Sequence, residues 1–117
     1  MSIQQVLDKK WTFGQVITAA RKEKGLRLKD CAALILKEDG SPISLQYLND
    51  IENGRRNPPS NSIVEQLAKV LAIPVEVLYF YAGRFPTERI TQNRLNVDQI
   101  VEAYQACAEK LNQNIAA

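Results

Sequence analysis

Basic side chains are unevenly distributed along this chain, and their chemistry is suited to binding phosphate. The segment from Lys9 to Lys37 holds eight basic and two acidic residues, and Arg55 and Arg56 add a second basic spot. Residues 61–117 hold five basic and six acidic residues and are close to neutral. Such an asymmetry is typical of a face that meets phosphate, although a solvated helix face gives the same pattern. The net charge of +2 is too small to identify a polyanionic partner by itself.

The sequence offers little for catalysis or metal binding. It has no histidine, and its two cysteines, Cys31 and Cys107, are too far apart for a CxxC motif. The sequence also lacks a glycine-rich phosphate loop. It therefore predicts no enzymatic activity, no cofactor and no metal site. No apolar run approaches the ~18 residues of a membrane span, and the first ten residues lack the apolar stretch of a signal peptide. Two such cysteines suit a reducing cytosol, so a cytoplasmic protein without a membrane partner is expected.

The spacing of apolar residues predicts the helices that would position the basic side chains. Thr12 and Gln15 have the pattern of a capping box that opens a first helix, which Gly25 ends. A second helix is predicted over residues 28–36 and a third over residues 44–53. The 117 residues fit one domain of ordinary size, and nothing in them alternates like a strand for long, which favours an all-α fold.

The second half of the chain continues the helical pattern. The prolines at 58–59 predict an extended loop, after which Ser60 or Ser62 caps a fourth helix. Pro74 begins a shorter fifth helix. Residues 84–96 are predicted to be a connector that leads into a last helix.

Three segments carry motifs that are specific in combination: FGQVITAARKEKGLRLKDCAALI, ISLQYLNDIENGRRNPPS and IVEQLAKVLAIPVEVLY. Together they resemble the Xre family of phage-repressor and Cro-like transcription factors over residues 12–83. The resemblance implies a five-helix, lambda-repressor-like helix-turn-helix domain that binds operator DNA as a dimer, with its third helix in the major groove. Residues 1–11 would then form an N-terminal extension, and residues 84–117 a connector and an extra C-terminal helix.

The family pattern implies which residues face the DNA bases: Ser44, Leu45, Gln46, Asn49 and Asp50. Gln46 and Asn49 suit this role, because an amide can donate and accept hydrogen bonds together at a base edge. Leu45 suits only a thymine methyl group. Asp50 either accepts from cytosine or is repelled by phosphate. An exposed helix face without DNA is the alternative for Gln46 and Asn49.

The candidate contacts with the DNA backbone are Arg27, Lys29, Lys37, Tyr47, Arg55, Arg56 and Asn57. For Tyr47, packing on the turn with its hydroxyl near the protein backbone comes first, and DNA contact is the second interpretation. A guanidinium fork suits phosphate, with a solvated loop as the alternative for residues 55–57. Leu28 stands where the family often has a glutamine that clamps the backbone, which puts that contact in doubt. Arg21 and Glu52 correspond to a structural ion pair between the first and third helices. Cys31 replaces an apolar core residue.

The turn between the second and third helices is longer than usual for this motif. Ile35 and Ile43 are eight positions apart, where the family has a turn of only a few residues. The additional residues either widen the turn into a loop beside the DNA, where Lys37 would reach a phosphate, or lengthen the second helix. Leu34 and Leu36 extend the helical pattern and favour the longer helix.

The last predicted helix has an apolar face with the spacing of a heptad seam, formed by Val97, Ile100, Tyr104, Cys107 and Leu111. This face either pairs with a second subunit or packs within the same chain. At about four turns, the helix would be marginal as an isolated coiled coil. A two-fold dimer would place two recognition helices about 34 Å apart.

The leading hypothesis is therefore a sequence-specific DNA-binding regulator, a homodimeric repressor that covers an operator in double-stranded DNA. The alternative is a protein-interaction module on the same fold, such as an antitoxin-like partner of another protein. Leu45 and Asp50 at base-facing positions support this alternative. Binding that weakens steeply with salt would separate the two, because released counterions set that dependence.

Overall fold

The computed structural model describes residues 11–85 and 95–116, and this part of the chain is helical. Its six helices are α1 (Phe13–Glu23), α2 (Leu28–Ala33), α3 (Leu45–Glu52), α4 (Asn61–Leu71), α5 (Val75–Tyr81) and α6 (Val97–Ala116). The only β pairing within the described ranges is an isolated antiparallel bridge between Leu36 and Pro42. The prediction of an all-α helix-turn-helix fold with an extra C-terminal helix is confirmed.

Helices α1 to α5 enclose one apolar core. α1 packs against α3, α4 and α5, while α2 packs against α3 and α4 against α5. The core takes side chains from all five helices, including Val16, Ile17, Cys31, Leu48, Ile51, Val64, Leu67 and Leu78. Removing a large aliphatic side chain of this kind from water contributes about 1.5–3 kcal/mol. The core therefore fixes α3, which carries the predicted base-facing residues, against two other helices, α1 and α2.

The first turn of α1 lies directly against the backbone of α3. The predicted capping box is present, since Thr12 Oγ1 accepts from the Gln15 N–H (3.2 Å) and Gln15 Oε1 accepts from the Thr12 N–H (2.9 Å). In the first turn, Gly14 is buried against the end of α3. A Cβ atom at this position would lie 2.5 Å from the carbonyl oxygen of Glu52 and would also meet that of Ile51. The absence of a side chain at Gly14 thus lets the two helix backbones touch.

The favoured prediction that the second helix continues to Leu36 is wrong. α2 ends at Ala33, and residues 35–43 form a small hairpin in which the Ile43 N–H donates to the Ile35 carbonyl (2.9 Å). At its tip, the Lys37 N–H donates to the Ser41 carbonyl (2.8 Å), and Gly40 has a φ of 86°. Such a φ strains residues with a side chain, so the glycine fits a tight turn rather than a helix. The inserted residues widen the turn.

Gln66 of α4 forms hydrogen bonds with the backbone of the hairpin. Gln66 accepts from the Leu36 N–H through Oε1 (2.7 Å) and donates to the Leu36 carbonyl through Nε2 (2.9 Å). Both backbone groups of an exposed residue are therefore satisfied by one amide. At the tip, Asp39 Oδ1 accepts from the Ser41 N–H (2.9 Å), and the Ser41 hydroxyl lowers the pKa of that carboxyl. These bonds explain why the chain prefers the hairpin to another helical turn, although Leu34 and Leu36 stay exposed.

The chain divides into two compact units, Met1–Phe85 and Pro86–Ala117. In the second unit, α6 opens with reciprocal hydrogen bonds between Asn96 and Gln99, the pattern of a capping box (3.0 and 2.8 Å). No helix in the described part of the chain combines the length and apolar character needed to cross a membrane.

Candidate nucleic-acid interface

Helices α2 and α3 and the hairpin between them present one face of α3 to solvent. Ser44 caps the helix by accepting from the Tyr47 N–H (3.0 Å). Leu48 and Ile51 turn inward and are fully buried, whereas Leu45 and Gln46 point outward. Leu45 keeps 48% of its surface exposed. The helical period therefore places the polar residues of α3 on the open side, where the sequence predicts base contacts.

Gln46 and Asn49, the two amides predicted to read bases, already have hydrogen-bond partners on the protein. Gln46 Nε2 donates to Asp50 Oδ1 (2.8 Å), one helical turn further along. Asn49 Oδ1 accepts from Asn53 Nδ2 (3.0 Å). Each amide keeps further donor or acceptor capacity, because an amide side chain has two donors and two lone pairs. These contacts fix the direction of both side chains on the exposed face of α3.

Asp50 joins α3 to the basic loop, which is defined here as residues 54–59. Its Oδ1 accepts from Arg55 Nε (3.0 Å), and its Oδ2 lies 3.9 Å from Arg56 Nε. The hydrogen bond from Arg55 is the main cause that lowers the pKa of the Asp50 carboxyl. Asp50 is 20% exposed, whereas Arg55 and Arg56 are more than half exposed. The carboxylate thus holds two cations beside the exposed face of α3 and is itself occupied by protein donors.

The basic loop begins with a helix-terminating turn. Gly54 has a φ of 75° and donates to the Ile51 carbonyl (3.2 Å), and the Arg55 N–H donates to the Asp50 carbonyl (2.8 Å). The Arg56 guanidinium lies 5.1 Å above the ring of Tyr47, a cation–π contact. An open polar depression of about 410 Å³ is lined by Tyr47 and the six residues of the loop. Tyr47, Arg55, Arg56 and Asn57, all predicted phosphate contacts, meet at this depression.

The remaining predicted phosphate contacts lie on α2 and the hairpin. Arg27 caps α2 with its backbone, and its side chain pairs with Asp30 (2.8 Å) at a largely exposed position. This hydrogen bond raises the pKa of Arg27 and lowers that of Asp30. Lys29 and Lys37 are exposed. The exposed cations of the motif therefore come from α2, from the hairpin and from the basic loop.

The structure brings Arg21 and Glu52 together as an ion pair between α1 and α3. Arg21 Nε lies 2.7 Å from Glu52 Oε2, and the side chains keep only 12% and 7% exposure. Thr18 adds a hydroxyl donor to Glu52 Oε1 (2.9 Å), and the Arg21 Nη1 group donates to the Leu26 carbonyl (2.9 Å). The hydrogen bond with Glu52 raises the pKa of Arg21. Near this pair, burial raises the pKa of the Cys31 thiol, which matches a core position rather than a reactive one.

Three residues that support this face are absent from the predicted set. They are Gly14 under α3, Gln66 behind the hairpin, and Arg84, which binds the carbonyls of the basic loop. A glycine inside an otherwise regular amphipathic helix was a usable signal for Gly14. The partners of Gln66 and, apart from Asn61, those of Arg84 are backbone atoms more than twenty positions away, and the sequence contains no pattern for such contacts.

The predicted seam lies on α6. Its residues Val97, Ile100, Tyr104, Cys107 and Leu111 are exposed, with Val97 at 75% and Tyr104 at 65%. Such a row of large apolar side chains on one helix is unusual for a surface that stays in water.

A comparison with protein families matches this chain to a helix-turn-helix model. A family model described as Helix-turn-helix (HTH_3) covers residues 17–78, which span α2, the hairpin, α3 and α4 and parts of α1 and α5. This match confirms the resemblance predicted from the sequence. It also coincides with the elements that carry the exposed face described above.

Three curated proteins illustrate what the chain is similar to. The HTH-type transcriptional repressor RghR of Bacillus subtilis is 33% identical over 72 residues, which are 62% of this chain and 49% of RghR. The uncharacterized HTH-type transcriptional regulator RghRB of the same organism is 31% identical over 101 residues, 84% of this chain and 68% of that protein. The HTH-type transcriptional regulator DdrOP3 of Deinococcus deserti is 43% identical over 58 residues, 50% of this chain and 40% of DdrOP3. The chain thus spans about half the length of RghR.

Proposed function

The chain belongs to the Helix-turn-helix (HTH_3) family, and on this premise we propose that it is a sequence-specific DNA-binding transcriptional regulator that acts as a dimeric repressor. The names of the relatives, a repressor and two regulators, support this proposal. The proposed DNA-binding domain comprises residues 12–83, and residues 84–117 provide a connector and a dimerisation helix.

One observation carries the proposal: Arg55 and Arg56 reach the same carboxylate on α3, at 3.0 and 3.9 Å. This places two exposed guanidinium groups at the edge of a helix face that carries the amides of Gln46 and Asn49. A helix in the major groove needs a face that can form hydrogen bonds with bases, and phosphate contacts on either side of that face. The close backbone contact at Gly14 and the Arg21–Glu52 ion pair join α1 to α3 and would hold that face at a fixed angle.

In the proposed complex, α3 lies in the major groove. Ser44, Gln46 and Asn49 contact base edges, and Leu45 contacts a thymine methyl group. Asp50 stands at the same face and orients Gln46 and Arg55 through its hydrogen bonds. The DNA backbone is contacted by Arg27, Lys29, Lys37, Tyr47, Arg55, Arg56 and Asn57. The exposure of the lysines and arginines in this set supports that role.

Selection of binding sites from random double-stranded DNA tests sequence reading directly. We expect enrichment of a palindrome with half-sites one helical turn apart, because two recognition helices must face one side of the duplex. Gln46→Ala is expected to relax preference at one base position at a cost of about 1–3 kcal/mol. Arg55→Ala is expected to weaken binding to every sequence and to reduce the slope of log affinity against log salt concentration by about one. Lys69 is an exposed cation on α4, and Lys69→Ala serves as the charge control. A pool that enriches no sequence would refute the proposed function.

The dimer is tested through α6. In a parallel pair of helices with this seam, the two copies of Cys107 face each other, so mild oxidation should produce a disulfide-linked dimer. Tyr104→Glu is expected to abolish this product and to lower the sedimentation coefficient, whereas Glu102→Gln, outside the seam, should change neither. A wild-type chain that sediments as a monomer at the concentrations used for DNA binding would contradict the dimeric repressor.

A protein-interaction module remains the second candidate function. The observation that favours it is the exposure of Leu34, Leu36 and Leu45 around the hairpin, each at 45–56%. A protein partner on this surface would bind with weak dependence on salt, whereas DNA binding falls steeply with salt.

A further inference from the structure

Arg84, which lies three residues after the end of α5, reaches back to the basic loop. Its Nη2 group donates to the Pro58 carbonyl (2.8 Å), and its Nη1 group donates to the Pro59 carbonyl. Nη1 also donates to Asn61 Oδ1 (3.1 Å), at the start of α4. One guanidinium thus ties together three acceptors on the segment that connects the proposed phosphate-binding residues to the core.

The backbone aims Arg84 at these carbonyls. Gly83 has a φ of 68°, and the Arg84 N–H donates to the Tyr79 carbonyl (2.9 Å), which is the geometry of a helix that ends in a left-handed residue. This hydrogen bond fixes the start of the Arg84 side chain relative to α5. Since α5 packs on α1 and α4, the guanidinium is held by the core rather than by the loop itself.

The loop transmits this restraint because it is stiff. Pro58 and Pro59 each have a fixed φ, and a residue before proline is confined to extended conformations, which restricts Asn57 as well. At its other end, the loop is fixed by the Arg55 N–H bonded to α3 and by the contact of Arg56 with an aromatic ring. Holding the proline carbonyls therefore determines where residues 56–57 stand.

We propose that Arg84 is a positioning residue for DNA binding: it orders the basic loop so that Arg56 and Asn57 meet phosphate without reorganisation. This inference rests on the proposed function, but it makes a statement about the free protein as well. Arg84 acts through the loop and does not need to touch DNA.

The first test uses the free protein and requires no DNA. Backbone ¹⁵N relaxation of Arg56 and Asn57 is measured in the wild type and in Arg84→Gln, which loses the charged fork. We expect order parameters of about 0.85 to fall below about 0.6 in the variant, with α1 and α3 unchanged. Arg84→Lys, which keeps the charge but cannot bridge two carbonyls in one plane, should give an intermediate value. A loop that stays as ordered in both variants overturns the inference.

The second test measures affinity for a random-sequence 20-base-pair duplex at low salt. Arg84→Gln is expected to weaken binding about tenfold in the wild-type background. In the background Arg56→Ala with Asn57→Ala it should weaken binding less than about twofold, because the groups that it positions are already gone. Lys69→Ala reports the effect of losing one exposed positive charge, and a loss no greater than in this control contradicts the proposal.

The two tests separate the possible failures. Equal losses in both backgrounds mean that Arg84 contacts DNA directly or acts on the whole fold, and the inference is then wrong while DNA binding stands. Absence of binding by the wild type refutes the proposed function, and the positioning role in DNA binding with it. The relaxation data then still decide whether Arg84 orders the loop.

Discussion

Replacing Gly14 with alanine should destabilise this domain, although the same change in an exposed helix is favourable. Alanine gains about 1 kcal/mol of helix propensity over glycine. Its Cβ atom, however, would lie 2.5 Å from the Glu52 carbonyl oxygen, where ordinary contact begins near 3.4 Å, and it would also meet the Ile51 carbonyl. Both obstacles are backbone atoms of α3, so the helices must separate by almost 1 Å. Overpacking of this kind costs about 1–3 kcal/mol, and we place Gly14→Ala at its upper end, for a net loss of about 1–2 kcal/mol.

The assay is thermal unfolding followed by far-ultraviolet circular dichroism. A net loss of this size corresponds to a fall in Tm of roughly 5–15 °C for a domain of this length. Gly25→Ala is the matched control, since Gly25 has a φ of 71° with nothing within 4 Å of a Cβ atom. The control should lower Tm through backbone strain alone and should leave the Ile51 and Glu52 amide chemical shifts in place. Gly14→Ala should move both.

The reasoning would be refuted by a Gly14→Ala variant that is more stable than the wild type. Helix propensity would then outweigh the contact, and α1 would not support α3 as closely as described. Under the proposed function, Gly14→Ala should also weaken DNA binding at temperatures where the variant is fully folded, because the angle of α3 changes. Gly25→Ala should bind like the wild type.

Other predictions concern the side chains that fix this face. Glu52→Gln should lower the free energy of unfolding in urea by about 3 kcal/mol, because it leaves the Arg21 guanidinium without its carboxylate partner. The double variant Glu52→Leu with Arg21→Met should recover most of this loss. A loss below about 1 kcal/mol for Glu52→Gln would mean that the pair behaves as an exposed one. Gln66→Ala should cost about 1–2 kcal/mol and speed amide exchange in the hairpin, since two backbone groups lose their partners. Because Arg55 lowers the pKa of Asp50, this carboxylate stabilises the fold above its ordinary pKa near 4, and that contribution is lost as the pH falls through the lower folded value. Asp50→Asn should therefore flatten the dependence of Tm on pH below about 4, and an unchanged dependence would contradict the contact.

Much of the helical framework could be predicted because its signals are local. The capping box of Thr12 with Gln15 and the glycine after α3 act within a few residues, and the helices form where these signals occur. The apolar period places Leu48 and Ile51 inside, which leaves the opposite face of α3 outside. Local rules therefore suffice for the identity and orientation of α3.

The remaining features depend on contacts between distant segments. Leu34 and Leu36 extend the helical pattern of α2, yet the hairpin forms because Gln66 satisfies its backbone from α4 and Gly40 permits its turn. Arg84 was assigned to a connector because two of its three acceptors are backbone carbonyl groups, which any residue carries. The contacts of Asp50 with Arg55 and Arg56 could not be predicted either, since they become visible only when α3 and the basic loop are placed together.

The hairpin has a practical consequence for engineering. Its two sides close on each other at Ile35 and Ile43, and Gln66 binds the backbone of Leu36. The exposed tip at residues 38–40 lies beyond these contacts. A peptide tag or a fluorescent label introduced between Gly40 and Ser41 should therefore leave the rest of the molecule intact. Such a label would stand next to the helix that we place in the groove, where it could report a docking event as it occurs.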